Sequence, residues 1–260
     1  MPALPRAKKR FGQHFLTDRH YVDRIVRAIA PASGDAMVEI GPGTGILTQE
    51  LVPVLDHLHV VEIDRELAAG LRARFPAEKL TVHQADALDF DFESLPANLR
   101  VVGNLPYNVS TPILFRMAAI ADRVRDCVFM LQKEVVERMV AAPGTPDYGR
   151  LSVMLQYRFG MALQLRVPPG AFTPPPKVDS AVVRMVPLGP DRPRARDEAR
   201  FASVVSAAFS HRRKMLRSAL RGVLAAEAFD ATAIDGTRRG ETLSVAQFIA
   251  LADASPTTSG

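Results

Sequence analysis

The chain has 260 residues, 47% of them apolar and 23% charged, with a formal net charge of +5. This is the balance of a globular enzyme with one catalytic domain and a small appendage. A single cysteine, Cys127, excludes an internal disulfide and a cysteine-based metal site, and reads as a buried thiol in a reducing compartment. No stretch approaches the roughly 18 consecutive apolar residues of a membrane span, and the basic start Arg6, Lys8, Lys9 and Arg10 runs into Phe11-Gly12-Gln13-His14 rather than a signal-peptide core, so a cytoplasmic protein is expected.

From about residue 35, short apolar runs alternate with helix-like stretches, the pattern of a doubly wound, Rossmann-like α/β sheet. Residues 36–40 read as the first strand, ending in a glycine cluster. Ile46, Leu47, Leu51, Val54 and Leu55 then fall on one helical face. Residues 58–61 form the next strand, ending at Glu62-Ile63-Asp64, and a helix over residues 65–75 is stopped by Pro76. Residues 80–82 lead into Asp86, and residues 100–103 into Asn104-Leu105-Pro106-Tyr107. After a helix over residues 112–121, residues 127–131 give a fifth strand, and the segments around 151–159 and 180–186 read as a closing antiparallel pair. The proline-rich joint at residues 187–193 marks a boundary between a catalytic domain, residues 1–187, and a small helical domain, residues 194–260. In the latter, Phe201, Val204, Val205, Ala208 and Phe209 keep helical spacing, as do Leu216, Leu220, Val223 and Leu224.

Charge is unevenly placed. Residues 1–16 hold Arg6, Lys8, Lys9 and Arg10 and no carboxylate; residues 199–226 hold Arg200, Arg212, Arg213, Lys214, Arg217 and Arg221, again with no carboxylate. Two such segments suit a polyanion such as RNA, with Arg10, Arg212, Arg213, Lys214, Arg217 and Arg221 as the candidate contacts. On a helix, Arg213, Arg217 and Arg221 would form one basic stripe.

The strands deliver their polar segments at their carboxyl ends, the edge where open α/β sheets bind ligands. Gly41-Pro42-Gly43-Thr44-Gly45 is spaced G-x-G-x-G, and Ile46 stands where the dinucleotide fingerprint needs its third glycine. Glu62 can accept from both ribose hydroxyls and Asp86 from an adenine amino group. A glycine loop, a ribose acid and an adenine acid on successive strands describe an adenosyl ligand without phosphates, S-adenosylmethionine.

Asn104-Leu105-Pro106-Tyr107 faces the same edge. Adenine N6 is a poor nucleophile because its lone pair is delocalised into the ring. The Asn104 side-chain oxygen and the Leu105 carbonyl can each take one N6 hydrogen, favouring a pyramidal nitrogen aimed at the sulfonium methyl. Pro106 stiffens the loop, and Tyr107 can stack on a base lifted from its helix.

Taken together, Lys9-Arg10-Phe11-Gly12-Gln13, Val38-Glu39-Ile40-Gly41-Pro42-Gly43, Gly103-Asn104-Leu105-Pro106-Tyr107, Phe129-Met130-Leu131-Gln132-Lys133-Glu134-Val135, Tyr148-Gly149-Arg150-Leu151-Ser152-Val153 and the run from Phe172 through Pro174-Pro175-Pro176-Lys177-Val178-Asp179-Ser180 carry a resemblance. The chain resembles the bacterial ribosomal RNA adenine dimethyltransferases of the kasugamycin-resistance type, over residues 9–252. The resemblance implies cofactor contacts at His14, where the family often has asparagine, and at Leu16, Gly41, Glu62, Asp86 and Asn104; Gly43 and Ala87 complete the expected set. It also implies a target adenine held between Tyr107 and Phe172. The implied substrate is a pair of adjacent adenosines near the 3′ end of 16S rRNA, in the small subunit or its precursor, each methylated twice with release of S-adenosylhomocysteine; separately, a monomer is expected.

No metal is expected: His57 and His59 share a strand face, but no third ligand is evident. Ser152, Ser180 and Ser210 lack the G-x-S-x-G elbow of a serine hydrolase. The rival functions are macrolide-resistance methylation of large-subunit rRNA, methylation of DNA adenine or protein glutamine, and a non-catalytic ribosome assembly role. The first is disfavoured by residues 148–153 and by Phe209-Ser210-His211-Arg212-Arg213-Lys214, which resemble the small-subunit type.

Overall fold

A computed structural model describes residues 13–254. The chain divides into two compact units: residues up to Val136 with Gly160–Pro187, and Glu137–Phe159 with residues from Leu188 on. The sequence boundary at residues 187–193 lies beside the third and last crossing between the units. Glu137–Phe159, however, groups with the C-terminal residues rather than within a continuous 1–187 domain.

In chain order the elements are β1 (Phe15–Leu16), α1 (Arg19–Ile29), β2 (Met37–Ile40), α2 (Thr48–Leu51), β3 (Leu58–Val61), α3 (Arg65–Arg74), β4 (Leu80–His83), β5 (Leu99–Asn104), α4 (Ser110–Ala119) and β6 (Val124–Gln132). There follow α5 (Lys133–Val140), α6 (Arg150–Gln156), β7 (Phe159–Val167), β8 (Phe172–Thr173), β9 (Ser180–Pro187), α7 (Glu198–Ser210), α8 (Leu216–Ala219), α9 (Glu227–Thr232) and α10 (Val245–Asp253).

Seven strands of the first unit form one sheet in the order β4-β3-β2-β5-β6-β9-β7. The pairs β4–β3, β3–β2, β2–β5 and β5–β6 are parallel, and β6–β9 is antiparallel. The chain therefore winds outward from β2 through β3 to β4, then restarts at β5 and winds the other way. The reversal lies between β2 and β5, which is where such a sheet opens a crevice at its carboxyl edge. Met37, Val38 and Ile40 of β2 and Val101 and Val102 of β5 are buried, as strands covered on both faces require. At the opposite edge, Arg100 is buried yet fully engaged: it meets Asp126 at 2.8 Å and Asp35 at 2.7 Å, and donates to the Ile29 and Ala30 carbonyls that end α1. The second unit has its own core, in which Tyr148, Val153, Phe201, Val205, Leu216 and Phe248 pack together.

Three expected elements differ. Residues 46–55 do not form one helix: only Thr48–Leu51 is α-helical, because Pro53 cannot continue it, although Leu47, Leu51 and Leu55 are still buried. Residues 151–156 are helix α6 rather than a strand, with Gly149 N–H donating to Ser152 Oγ at 3.0 Å; the strand here is β7, which starts at Phe159. A short apolar run fits either period until its partners are known. The basic stripe is absent: residues 211–214 form a turn, α8 has four residues, and Gly222 at φ +83° interrupts the segment before Leu224. Arg213, Arg217 and Arg221 thus share no helix.

Candidate active site

The crevice is a cleft of about 1090 Å³ lined by the loops after β2, β3, β4 and β5 and by residues 13–16. Gly43 holds φ +58°, a conformation a side chain rarely takes, and this turns its N–H onto Glu62 Oε2 at 3.0 Å. Glu62 Oε1 accepts from Asp64 N–H at 2.8 Å, so one carboxylate ties the glycine loop to the end of β3. Burial raises the Glu62 pKa while these backbone donors pull it down. Asp86 lies half-buried at the cleft and accepts from Leu88 N–H at 2.8 Å. Close contact between β2 and β5 requires Gly103, where a Cβ would stand 2.3 Å from the Ile40 carbonyl.

The loop after β5 is held at each residue. Leu105 N–H donates to the Met130 carbonyl at 3.1 Å. Asn104 Nδ2 donates to the His14 carbonyl at 3.2 Å, which leaves its Oδ1 as the atom able to accept from a ligand amine. The His14 ring stacks near Tyr107 with centroids 5.7 Å apart and 28° between planes. Its Nδ1 lies 2.9 Å from the Pro174 carbonyl, an acceptor only, so Nδ1 carries the proton. Tyr107 Oη meets Ser180 Oγ at 2.6 Å, Ser110 Oγ donates to the Tyr107 carbonyl, and burial raises the phenol pKa.

His14, Leu16, Gly41, Gly43, Glu62, Asp86, Ala87, Asn104, Leu105, Pro106 and Tyr107 all line this one cleft. Phe172 does not; it pairs with Leu16 across β1 and β8 and is 3% exposed within the core. Sequence reasoning missed Glu39 and Ile63. Glu39 is buried in the middle of β2, accepts from Thr48 Oγ1 at 2.7 Å and lines the cleft; burial pushes its pKa up to about 7, and the nearby Glu62 adds to the rise. The available signal was a carboxylate inside the apolar run Met37-Val38-Glu39-Ile40. Ile63, between two acids, is exposed towards the cleft.

Of the basic candidates, Arg10 lies outside the described residues. Arg212 is paired with Glu241 at 3.0 Å and also donates to the Pro146 carbonyl. Arg213, Lys214, Arg217 and Arg221 are exposed. Among the described residues no group of His, Cys, Asp or Glu is arranged to hold a metal, and no helix is long and apolar enough to cross a membrane.

The sheet order, its reversal beside a G-x-G-x-G loop and the acids after β3 and β4 define a Rossmann-like methyltransferase. A family model described as ribosomal RNA adenine dimethylase matches residues 5–255. The chain belongs to that family: it is an enzyme of rRNA adenine methylation. It is 59% identical over 246 residues to the ribosomal RNA small subunit methyltransferase A of Aromatoleum aromaticum, covering 95% of this chain and 93% of the relative. Among solved structures, a dimethyladenosine transferase from Plasmodium falciparum shares the fold with a TM-score of 0.78 at 24% identity, covering 92% of this chain and 96% of that one. The 23S rRNA methyltransferase ErmE is similar with a TM-score of 0.71 at 26% identity, covering 92% of this chain and 98% of that one.

Proposed function

We propose that this chain transfers methyl groups from S-adenosylmethionine to N6 of two adjacent adenosines in the 3′-terminal hairpin of 16S rRNA. The products are N6,N6-dimethyladenosine and S-adenosylhomocysteine, and the work belongs to small-subunit assembly in the cytoplasm. One observation carries the choice of donor. Glu39, Glu62 and Asp86 line the cleft, and among the described residues no lysine or arginine does. A pyrophosphate would meet repulsion from these carboxylates, whereas a sulfonium and an ammonium meet attraction and the ribose hydroxyls meet acceptors. The 59% identity to a small-subunit enzyme, against 26% to ErmE, favours the small subunit as substrate.

S-Adenosylmethionine, when bound, supplies an electrophilic methyl. Glu62 would hold the ribose, Asp86 the adenine amino group, and Gly41 and Gly43 would let the methionine part approach the backbone. Asn104, its amide nitrogen committed to the His14 carbonyl, presents Oδ1 to one N6 hydrogen of the target adenine; the Leu105 carbonyl takes the other. Tyr107 supports the base face. The N6 nitrogen takes the methyl, becomes cationic and then loses a proton to water, so positioning and electrostatics replace a strong base. Exposed cations of the C-terminal unit and the N-terminal basic segment with Arg10 would hold the RNA phosphates.

The test is to offer labelled S-adenosylmethionine with each ribosomal subunit from an unmethylated strain and map the label. Dimethyladenosine at two adjacent positions of 16S rRNA is expected. Label confined to 23S rRNA would move the enzyme to the macrolide-resistance reaction, and unlabelled RNA would leave a non-catalytic assembly role.

A further inference from the structure

We infer that Ser180 is a positioning residue for methyl transfer, its hydroxyl pinning the Tyr107 hydroxyl and so fixing the ring on which the target base stacks. The inference rests on the proposed role of Tyr107 as base platform. Ser180 is the first residue of β9, two strands away from β5 in the sheet order. It is 0% exposed and paired with Gln132 of β6, while the adjoining Asp179 carbonyl accepts from Lys133 N–H at 2.9 Å. Its Oγ therefore sits on a strand end that the sheet already fixes. Tyr107, in the loop after β5, reaches it at 2.6 Å.

A tyrosine ring has two side-chain torsions. With its carbonyl held by Ser110 Oγ at 3.1 Å, its hydroxyl held by Ser180 and the His14 ring 5.7 Å away in a stacked arrangement, little rotational freedom is left. Stacking itself needs no hydroxyl, since a phenylalanine ring has the same face. Burying a phenol costs free energy unless it is hydrogen-bonded. The hydroxyl pair is thus explained by what it does to the ring: it settles the platform's orientation before the base arrives, and an orientation settled in advance is not lost as entropy in the reactive complex.

The test compares Ser180→Ala, Tyr107→Phe, the double variant and Tyr107→Ala in single-turnover methylation of unmethylated small subunits at saturating S-adenosylmethionine. Thermal melting and cofactor affinity are measured alongside. Ser180→Ala and Tyr107→Phe are each expected to slow methylation about fivefold, the scale of one hydrogen bond. The double variant should be no slower than either, because both remove the same bond, and cofactor affinity should not change. Multiplying losses, or a matching loss of cofactor affinity, would make Ser180 a general structural residue and overturn the inference. Should Ser180→Ala fail to fold, Tyr107→Phe removes the same bond from its other end, and its rate alone decides. A deep loss in Tyr107→Ala with normal rates in both hydroxyl deletions keeps the platform and overturns the pinning. A normal rate in Tyr107→Ala overturns both.

Discussion

Asn104 has two polar side-chain atoms, and the His14 carbonyl takes one of them. Asn104→Ala is therefore expected to lower single-turnover methyl transfer by about 10²-fold, the scale of a lost transition-state hydrogen bond, with RNA affinity little changed. Asn104→Asp should do no better, because it sets a carboxylate oxygen against that carbonyl; a near-normal rate in either would reduce Asn104 to a turn residue. Glu62→Ala should weaken S-adenosylmethionine binding by about 1.5–3 kcal/mol in calorimetry, through lost charged acceptors for the ribose and loss of the Gly43 tether. Unchanged affinity in a folded variant would remove the ribose assignment. These residues were legible because polar groups that directly follow a parallel strand can only emerge at the ligand edge. Glu39 was not, since a carboxylate within a buried strand reads as an interruption until its Thr48 partner is seen nine positions later. Phe172 is buried and absent from the cleft lining, and its pairing with Leu16 joins residues more than 150 positions apart in the chain, which the sequence does not display.

At the scale of elements, the parallel strands were legible as continuous apolar runs ended by glycine, acid or amide. The helices of the second unit were less so, because their apolar positions fit several lengths and only the turns decide, as at Gly222. A pH response belongs to the β3–β4 pair. His59 of β3 lies in a row with His57 and His83, its Nδ1 3.1 Å from His83 Nε2. Burial, with the neighbouring His57 and His83, pushes the His59 pKa down to about 4, and burial with the Arg72 charge lowers that of His83. A histidine whose folded pKa lies below its unfolded value of about 6.5 binds fewer protons when folded. Its contribution is complete above pH 6.5 and is lost as pH falls towards 4. Urea unfolding from pH 7.5 to 4.5 should show stability falling through this window, and His59→Gln should flatten the fall. An unchanged slope would assign the acid loss to other groups.

Across the whole molecule, a net charge of +5 coexists with a ligand cleft whose lining, among the described residues, has carboxylates and no lysine or arginine. In the C-terminal unit the cations are not equivalent. Arg212 is occupied by Glu241, and Arg217 lies close enough to Asp235 to help hold its carboxyl down, behind the stronger effect of the Thr237 amide and hydroxyl. Phosphate contacts are therefore expected at Arg213, Lys214 and Arg221, which lie exposed on turns and act separately rather than as a helical stripe. Neutralising all three should weaken binding of small subunits. The slope of log affinity against log salt should become shallower by about 0.7–0.9 for each cation that meets a phosphate. Arg212→Gln, which breaks an internal pair, should move the slope less than any of them. Cofactor affinity should stay constant throughout, because these residues belong to the other unit from the cleft. A slope that does not move in the triple variant would make these cations solvated surface charge and assign RNA attraction to the N-terminal cluster of Arg6, Lys8, Lys9 and Arg10.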